Sequence, residues 1–314
     1  MRHISEVLAP DAVLERIGGG ATWSEGPCWI ESSQTLRWSD IHGNRILECD
    51  PLTGETSEYR RTVDFTNGRT VHPDGYLLQC SHGGRRIEAD VGGDVTPVAS
   101  GWSGGRFNSP NDIVVASDRS IWFTDPHYGI TVEGEGHPGE MEYGGCFVFR
   151  VTPASFGPEG AARYSTEERP AEPVITDMEE PNGLAFSPDE SVLYVSDTSA
   201  VRRPEGVGNH HVRAYDVVHE DGAVRCVNGR TLFEIPGGLP DGIRVDEHGR
   251  IWSSGPAGVT IFSAEGETLG HIAVPELVGN LCFGGPSGTD LFIAATTSIY
   301  RIRTTVRDAA ALTR

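Results

Sequence analysis

Six oxygen-bearing side chains recur at one position of a repeated pattern. In the stretch from Pro181 to Asp197, Asn182 leads into a short apolar strand, a turn and a second apolar strand. The residues at the same place, seven positions before the turn, are Glu25, Asn67, Asn111, Asn182, Asp241 and Asn280. Carboxylates and amides without a thiol or an imidazole suit a hard cation such as Ca²⁺ or Mg²⁺. Any single Asn-Gly or Asp-Gly pair could instead be a local turn former.

The strands that separate these six residues, here called the anchors, predict the fold. After each anchor come an apolar strand, a Gly/Asp/Ser turn and a strongly apolar strand such as Ile121-Trp122-Phe123, and several copies add a third and a fourth strand. Four strands repeated six times predict an all-β chain folded as a six-bladed β-propeller. We expect residues 1–314 to form a single domain, in which segment 1–20 helps to close the last blade with an outer strand.

A propeller would bring the anchors together, because its innermost strands surround the central channel. The anchors would then form a ring and a central metal site, where Glu25 and Asp241 would repel each other without a cation. Successive anchors are 42, 44, 71, 59 and 39 residues apart. The two long spacings predict insertions within Pro126 to Gly145 and within Thr198 to His211. Both follow the second strand of a blade, so we expect them at one end of the propeller, over the site.

Composition excludes several classes of partner. The chain has 45 acidic and 25 basic residues and a formal charge of -20, which disfavours nucleic acid and anionic membranes. Its six cysteines include no C-x-x-C pair, so no zinc ribbon or thioredoxin-type motif is predicted. The N-terminus lacks the apolar core of a signal peptide, and no apolar run of about 18 residues occurs. We therefore expect a cytoplasmic location, and the sequence gives no signal for an oligomeric state.

Four motifs carry a resemblance to a known family. They are Glu25-Gly26-Pro27, Ser109-Pro110-Asn111-Asp112 with Phe123-Thr124-Asp125-Pro126, Pro181-Asn182-Gly183, and Pro240-Asp241-Gly242. In this order they resemble the gluconolactonase, senescence-marker-protein and luciferin-regenerating family, from about Ala21 to Arg303, and most of all its bacterial gluconolactonase type. The resemblance implies a six-bladed propeller with one axial divalent cation that hydrolyses sugar lactones.

The resemblance also implies roles for single residues. Glu25, Asn182 and Asp241 would hold the metal, Asp241 would act as the general base, and Asn111 would contact the substrate. A cation makes a lactone carbonyl more electrophilic and stabilises the oxyanion, while a carboxylate can take the proton of the attacking water. Ca²⁺ is our first expectation, with Mg²⁺, Mn²⁺ and Zn²⁺ left open. Animal members carry an arginine two residues before this asparagine, where the present chain has Ser109, and the nearest basic residue is Arg106.

Further candidates for substrate contact come from the predicted end of the propeller that carries the insertions. His82 follows a second strand, and His127 and Tyr128 begin the first insertion. Other candidates for specificity in or just after the insertions are Glu140, Tyr143, Arg202, Arg203, His210 and His211. Three aspartates that follow their anchors by 14 or 15 residues could support the site: Asp40, Asp125 and Asp197.

We therefore expect a metal-dependent lactonase that hydrolyses a small-molecule aldonolactone, such as gluconolactone, with metal-activated water. Gly-x-Ser-x-Gly occurs once, at residues 101–105, but the predicted all-β chain offers no strand-to-helix turn to make it a nucleophile elbow, so no serine nucleophile is indicated. Two alternatives stay open. One is an organophosphate or other ester hydrolase on the same propeller, and the other is a non-catalytic binding propeller whose cation is structural. The sequence names neither the lactone, nor the metal, nor the insertion residues that set specificity.

Overall fold

Six four-stranded antiparallel sheets make up the computed structural model, which describes residues 4–152, 169–220, 222–235 and 238–312. Each sheet is one blade, and its first three strands follow one another in sequence as a meander. The chain is nearly all β, and the predicted six-bladed β-propeller is confirmed.

The chain begins with a short helix and an outer strand, followed by the first two blades. The helix is α1 (Ile4–Val7), and the outer strand is β1 (Glu15–Gly19). Blade 1 contains β2 (Ser24–Ile30), β3 (Thr35–Asp40), β4 (Arg45–Cys49) and β5 (Thr56–Arg61). Blade 2 contains β6 (Thr66–Val71), β7 (Leu77–Ser81), β8 (Arg86–Val91) and β9 (Asp94–Ala99).

A small hairpin separates blade 2 from the next two blades. Its strands are β10 (Gly101–Trp102) and β11 (Gly105–Arg106). Blade 3 contains β12 (Ile113–Val115), β13 (Ile121–Asp125), helix α2 (Tyr128–Thr131), β14 (Phe147–Val151) and β15 (Ala171–Ile175). Blade 4 contains β16 (Pro181–Phe186), β17 (Val192–Asp197), β18 (His211–Glu220) and β19 (Ala223–Glu234).

The last two blades return to the N-terminal strand. Blade 5 contains β20 (Ile243–Val245), β21 (Ile251–Gly255), β22 (Gly258–Phe262) and β23 (Thr268–Ala273). Blade 6 contains β24 (Val278–Gly284), β25 (Asp290–Ala295) and β26 (Ser298–Arg303), and a 3₁₀ helix follows at Ala309–Leu312. Strand β1 pairs antiparallel with β26 as the outer strand of blade 6. This pairing covers an edge that would otherwise be open.

The insertions account for only part of the two long spacings between anchors. Residues 126–146 connect β13 to β14 and residues 198–210 connect β17 to β18, as expected. A second long connection, residues 152–170, joins β14 to β15, and residues 153–168 of it lie outside the described ranges. In blade 4, β18 and β19 are 10 and 12 residues long. The extra length therefore also lies at the outer side of blades 3 and 4.

The apolar core is divided among the contacts between neighbouring blades. Each of six buried clusters joins residues of two adjacent blades. Trp38, Trp122 and Trp252, from the second strands of alternate blades, are among the largest fully buried side chains. Burial of a large apolar side chain contributes about 1.5–3 kcal/mol, so these clusters hold the ring together. None of the helices in the described ranges is long and apolar enough to cross a membrane.

Candidate metal and substrate site

The inner strands depart from regular pairing where the anchors lie. The register of the first and second strands shifts beside Glu25, Asn67, Asn182 and Asn280. In blades 3 and 5, the anchors Asn111 and Asp241 precede the first strand. A β-bulge re-aims a side chain that would otherwise follow the pleat. Interrupted pairing is thus the local feature that frees the anchors to face the channel.

Five of the six anchors line one cavity of about 240 Å³ at the end of the channel. The sixth, Asn280, hydrogen-bonds to Glu25 through its side chain. The described residues of the cavity wall are Trp23, Glu25, Ile41, Asn67, Asn111, Tyr128, Glu135, Asn182, Thr198, Val201, Arg202, Gly238, Leu239, Asp241, Gly255, Pro256, Leu277 and Val278. The ring predicted from the repeat therefore becomes one polar floor with a largely apolar rim.

The glycines beside the anchors allow the blades to approach closely. A Cβ on Gly183 would lie 2.3 Å from the carbonyl oxygen of Asp241, and a Cβ on Gly26 would lie 2.2 Å from that of Asn67. Gly26 also has a φ of 52°, in the left-handed region that favours glycine. Both glycines lie within strands, so their role is close packing between anchors and not turn formation.

Hydroxyl groups from one blade fix the main chain of the next anchor. In three blades, the penultimate residue of the second strand donates a hydrogen bond from its hydroxyl group. The acceptor is the main-chain carbonyl of the anchor in the next blade. The three bonds are Ser39 Oγ to Asn67 O (2.8 Å), Thr124 Oγ1 to Asn182 O (2.5 Å) and Ser196 Oγ to Asp241 O (2.7 Å). Asp241 is held a second time, because its N–H donates to Ser254 Oγ at 3.1 Å.

The aspartate that ends the second strand supports the anchor of its own blade. In blades 1, 3 and 4 its carboxylate is fully buried and accepts main-chain N–H groups from the segment just before the anchor. The pairs are Asp40 with Thr22 and Trp23, Asp125 with Asn108 and Ser109, and Asp197 with Glu179. Hydrogen bonds to a charged acceptor contribute about 1.5–3 kcal/mol each, so these segments are held firmly.

Two carboxylates lie on the cavity floor, the buried Glu25 and the partly buried Asp241. Burial, followed by the charge of the nearby Asp112 carboxylate, raises the pKa of Glu25 to about 8, although a hydrogen bond from the Gly26 N–H opposes the rise. Burial, followed by the charge of Glu25, raises the pKa of Asp241 well above its usual range. The side chain of Asn182 hydrogen-bonds to Asp241 and opposes this rise. Two such charges are stable together only when a positive charge compensates them.

The donor set fits a hard divalent cation, because Glu25, Asp241 and Asn182 would supply only oxygens. The described residues contain no group of three or more His, Cys, Asp or Glu side chains that could hold a metal ion, so such a site would need the Asn182 amide beside the two carboxylates. Asn67 Oδ1 is buried beside the same cavity and has no hydrogen-bond partner among the described residues. An unpaired buried oxygen is costly, and a cation, its water or a substrate hydroxyl would satisfy it.

His82 lies behind the wall of the cavity and not on it. It is fully buried, its Nδ1 lies 3.0 Å from the carbonyl oxygen of Glu135, and its Nε2 lies 3.2 Å from Asn67 Nδ2. A carbonyl only accepts, so Nδ1 carries the proton, and Nε2 must accept from the Asn67 amide. This tautomer turns Asn67 Oδ1 away from His82. His82 thus positions Asn67 and Glu135 at the cavity wall.

The other predicted contact residues separate into two groups. Tyr128 lines the cavity with Asn111, and its hydroxyl bonds to Thr198 Oγ1, which also accepts from Asn182 Nδ2 at 3.2 Å. His127 is half-buried beside Cys146 at 3.3 Å, outside the described lining of the cavity. Arg106 is exposed on the hairpin and pairs with Glu142 at 2.8 Å, also outside that lining.

Several lining residues carried no clear sequence signal. Trp23 precedes the first anchor by two residues, and Glu135 and Thr198 belong to the insertions. Arg202 was one of several polar residues in the second insertion, with nothing to separate it from Arg203 beside it. Glu135, Thr198 and Arg202 all follow the second strand of a blade. This position predicts at which end of the propeller a residue lies, but not the direction of its side chain.

Comparison with known proteins extends over almost the whole chain. The SMP-30/Gluconolactonase/LRE-like region matches residues 23–297. Gluconolactonase of Zymomonas mobilis is 30% identical over 318 residues, covering 96% of this chain and 84% of that protein. Pentonolactonase XacC of Haloferax volcanii is 30% identical over 277 residues, covering 86% and 80%. The structure of a Xanthomonas campestris gluconolactonase matches with a TM-score of 0.81 and 35% identity, covering 96% and 92%. The resemblance carried by the four motifs is thus confirmed, and the chain belongs to the SMP-30/Gluconolactonase/LRE-like family.

Proposed function

We propose that this protein is a lactonase that hydrolyses a sugar lactone, an aldonolactone such as gluconolactone, with the help of one divalent cation. The observation that carries the proposal is a pair of carboxylates, the buried Glu25 and the partly buried Asp241, on the floor of a cavity that a small polyhydroxylated ring could enter. Family relatives named for lactone hydrolysis, aligned over most of their length, support the substrate class.

The chain's own residues would divide the work as follows. Glu25, Asn182 and Asp241 would hold the cation, and the Gly26 N–H donates to one oxygen of Glu25 at 3.0 Å. Asp241 takes the proton of the attacking water at its carboxylate, and Ser196 and Ser254 hold its main chain in place. Asn111 and Tyr128 line the space beside these groups and would orient the lactone. A general base held in this way typically contributes 10²- to 10⁴-fold in rate.

The cation would polarise the lactone carbonyl and stabilise the negative charge that develops on its oxygen. Oxygen donors alone favour Ca²⁺ first, with Mg²⁺ and Mn²⁺ next and Zn²⁺ also able to bind. The pKa values of Glu25 and Asp241 are raised first by burial and then by neighbouring carboxylates. They support a role for a cation, because a bound positive charge would favour the ionised form of both groups.

The test is a substrate panel measured with each metal after chelator treatment. We expect hydrolysis of one or more aldonolactones, loss of that activity in chelator, and recovery with a divalent cation. Robust turnover of a phosphotriester with none of any lactone would favour an organophosphate hydrolase. Cation binding with no hydrolysis at all would favour a binding propeller.

Asp241→Asn tests the general base. We expect kcat to fall by at least about 10²-fold while the melting temperature of the chelator-treated protein is unchanged or higher, because the variant removes a charge that its surroundings disfavour. Asp216→Asn is the matched control, since Asp216 lies on β18 away from the cavity and pairs with Arg230. Unchanged kcat in Asp241→Asn would contradict the assignment of the base.

We further propose a cytoplasmic location and one domain for the whole chain. The described residues contain six cysteines and no disulfide, which supports a reducing compartment. The pairing of β1 with β26 supports a single unit closed by its own N-terminal segment.

A further inference from the structure

Arg202 is the one cationic side chain among the described residues that line the cavity. It belongs to the second insertion, and its guanidinium carbon lies 5.3 Å from the centre of the Tyr128 ring. Within the described ranges no carboxylate forms an ion pair with it, although the neighbouring Arg203 pairs with Glu179 and with Glu180. Arg203 therefore anchors the second insertion through ion pairs, while Arg202 lines the cavity.

The backbone at Arg202 supports a role for this placement. Its φ is 59°, a left-handed conformation that is uncommon for residues other than glycine and costs of order 1–3 kcal/mol. The residue is exposed, so burial does not hold its side chain in this position. Strain of this kind persists where the surrounding structure imposes it, and the stacking on Tyr128 directs the guanidinium over the cavity.

Glu135 is the acidic counterpart on the first insertion. Its carbonyl oxygen is held by His82 Nδ1, and its side chain is 17% exposed at the cavity wall. One carboxylate oxygen lies 3.8 Å from His42 Nε2, beyond hydrogen-bond distance. The positive charge of Arg202 lowers the pKa of Glu135, against a rise caused by burial. The two side chains form no direct ion pair in the described structure. The cavity wall therefore carries hydrogen-bond donors on the Arg202 guanidinium, in the second insertion, and acceptors on the Glu135 carboxylate, in the first insertion.

The geometry points to Arg202 and Glu135 as the pair that reads the hydroxyl groups of an uncharged polyhydroxylated lactone. This inference rests on the proposed function and deepens it. Hydroxyl groups can accept from the guanidinium fork and donate to the carboxylate at once. A site built to bond substrate hydroxyls discriminates strongly against an analogue that lacks them, because its polar groups would stay unpaired.

The charge of the lining favours an uncharged substrate. Its ionisable groups are three carboxylates (Glu25, Asp241 and Glu135) and the Arg202 guanidinium, while Tyr128 stays neutral because burial raises its pKa well above the usual range. With one divalent cation bound, the formal charges balance. A lactone that carries its own carboxylate would add an uncompensated charge to this partly buried site.

Arg202→Met tests the inference, because methionine keeps an apolar chain over Tyr128 but has no donors. We expect kcat/KM for glucono-δ-lactone to fall about 10- to 100-fold, mostly through KM. For δ-valerolactone, which has no hydroxyl groups, we expect a change of no more than about twofold. The wild-type protein should also prefer gluconolactone to glucarolactone, which bears a carboxylate. Arg230→Met is the matched control, an exposed arginine on β19 of the same blade, and should change neither rate.

An equal loss on both lactones, no loss on either, or a preference for glucarolactone would overturn the inference. If the wild-type protein hydrolyses no lactone, the proposed function fails, and calorimetry with 1,5-anhydroglucitol, a hydroxylated ring without a carbonyl, decides the inference separately. Binding that weakens at least about 10-fold in Arg202→Met and not in Arg230→Met would uphold it. Absent binding, or binding that Arg202→Met leaves unchanged, would overturn it.

Discussion

Acidification should destabilise the protein through the buried His82. Burial lowers the pKa of this histidine from 6.5 to about 4, and its bond to the Glu135 carbonyl only partly opposes the shift. Protonation would require Nε2 to donate, but Asn67 Nδ2, which faces it at 3.2 Å, is itself a donor. The charged form of His82 is therefore poorly accommodated in the folded state.

The sign and the size follow from the two pKa values. The unfolded chain binds a proton near pH 6.5 and the folded chain only near pH 4. The stabilisation is therefore complete above pH 6.5 and is lost as the pH falls through 4. At about 1.4 kcal/mol per unit, the shift corresponds to about 3 kcal/mol of unfolding free energy, of which about 2.5 kcal/mol is lost by pH 4.5.

The assay is urea unfolding of the wild-type protein and of His82→Gln at several pH values from about 7.5 to about 4.5. The other titrating groups are common to both proteins, so the difference in unfolding free energy isolates His82. We expect that difference to shrink by about 2.5 kcal/mol across the range. His219→Gln, at an exposed histidine of β18, should show a constant difference. A constant difference for His82→Gln as well would refute the reasoning.

Three further predictions concern the anchors. Gly183→Ala should destabilise the protein by about 1–3 kcal/mol and abolish activity, because the new Cβ would lie 2.3 Å from Asp241 O; Gly144→Ala, with nothing within 4 Å of the added Cβ, should do neither. Asp197→Asn should cost about 1.5–3 kcal/mol in urea unfolding, since Asp197 accepts N–H groups of Glu179 and Ser199; a loss in kcat/KM without a stability change would contradict its structural role. Calcium at 100 times its Kd should stabilise chelator-treated protein by about 2.7 kcal/mol, seen as a higher Tm. Glu25→Gln should reduce that shift, and an equal shift in the variant would exclude Glu25 as a ligand.

Much of the fold could be predicted because each blade is local in sequence. A meander pairs strands that follow one another, so the alternation and turns of a stretch such as Pro181 to Asp197 define most of one blade. The six anchors form a strong signal because they share one position in the repeat. A single Asn-Gly pair would be ambiguous. Other features gave no such signal. The bulges beside Glu25 and Asn182 depend on how the next blade packs, and the long β18 and β19 interrupt the regular repeat.

The substrate side of the site was much less predictable. Tyr128 and Asn111 line the cavity, whereas His82 supports the wall from behind and Arg106 lies outside the described lining. Glu135 gave no signal, because nothing in its neighbours indicates which way an insertion folds. Arg202 and Arg203 are adjacent and identical in type, yet one lines the cavity and the other pairs with Glu180. Loop contacts of this kind have no period in sequence.

The sequence by itself determined the blade number, the anchors and the oxygen chemistry of their side chains, because these depend on residue types at short, repeated spacings. Only the tertiary structure decided which groups meet. Ring closure brings Glu25 and Asp241, which lie 216 positions apart, to one cavity floor, and there burial, followed by the charge of neighbouring carboxylates, raises the pKa of both. The same closure sets the insertions over that floor. Charge, burial and loop direction at the site arise from contacts between distant segments, and such contacts exist only in the folded ring.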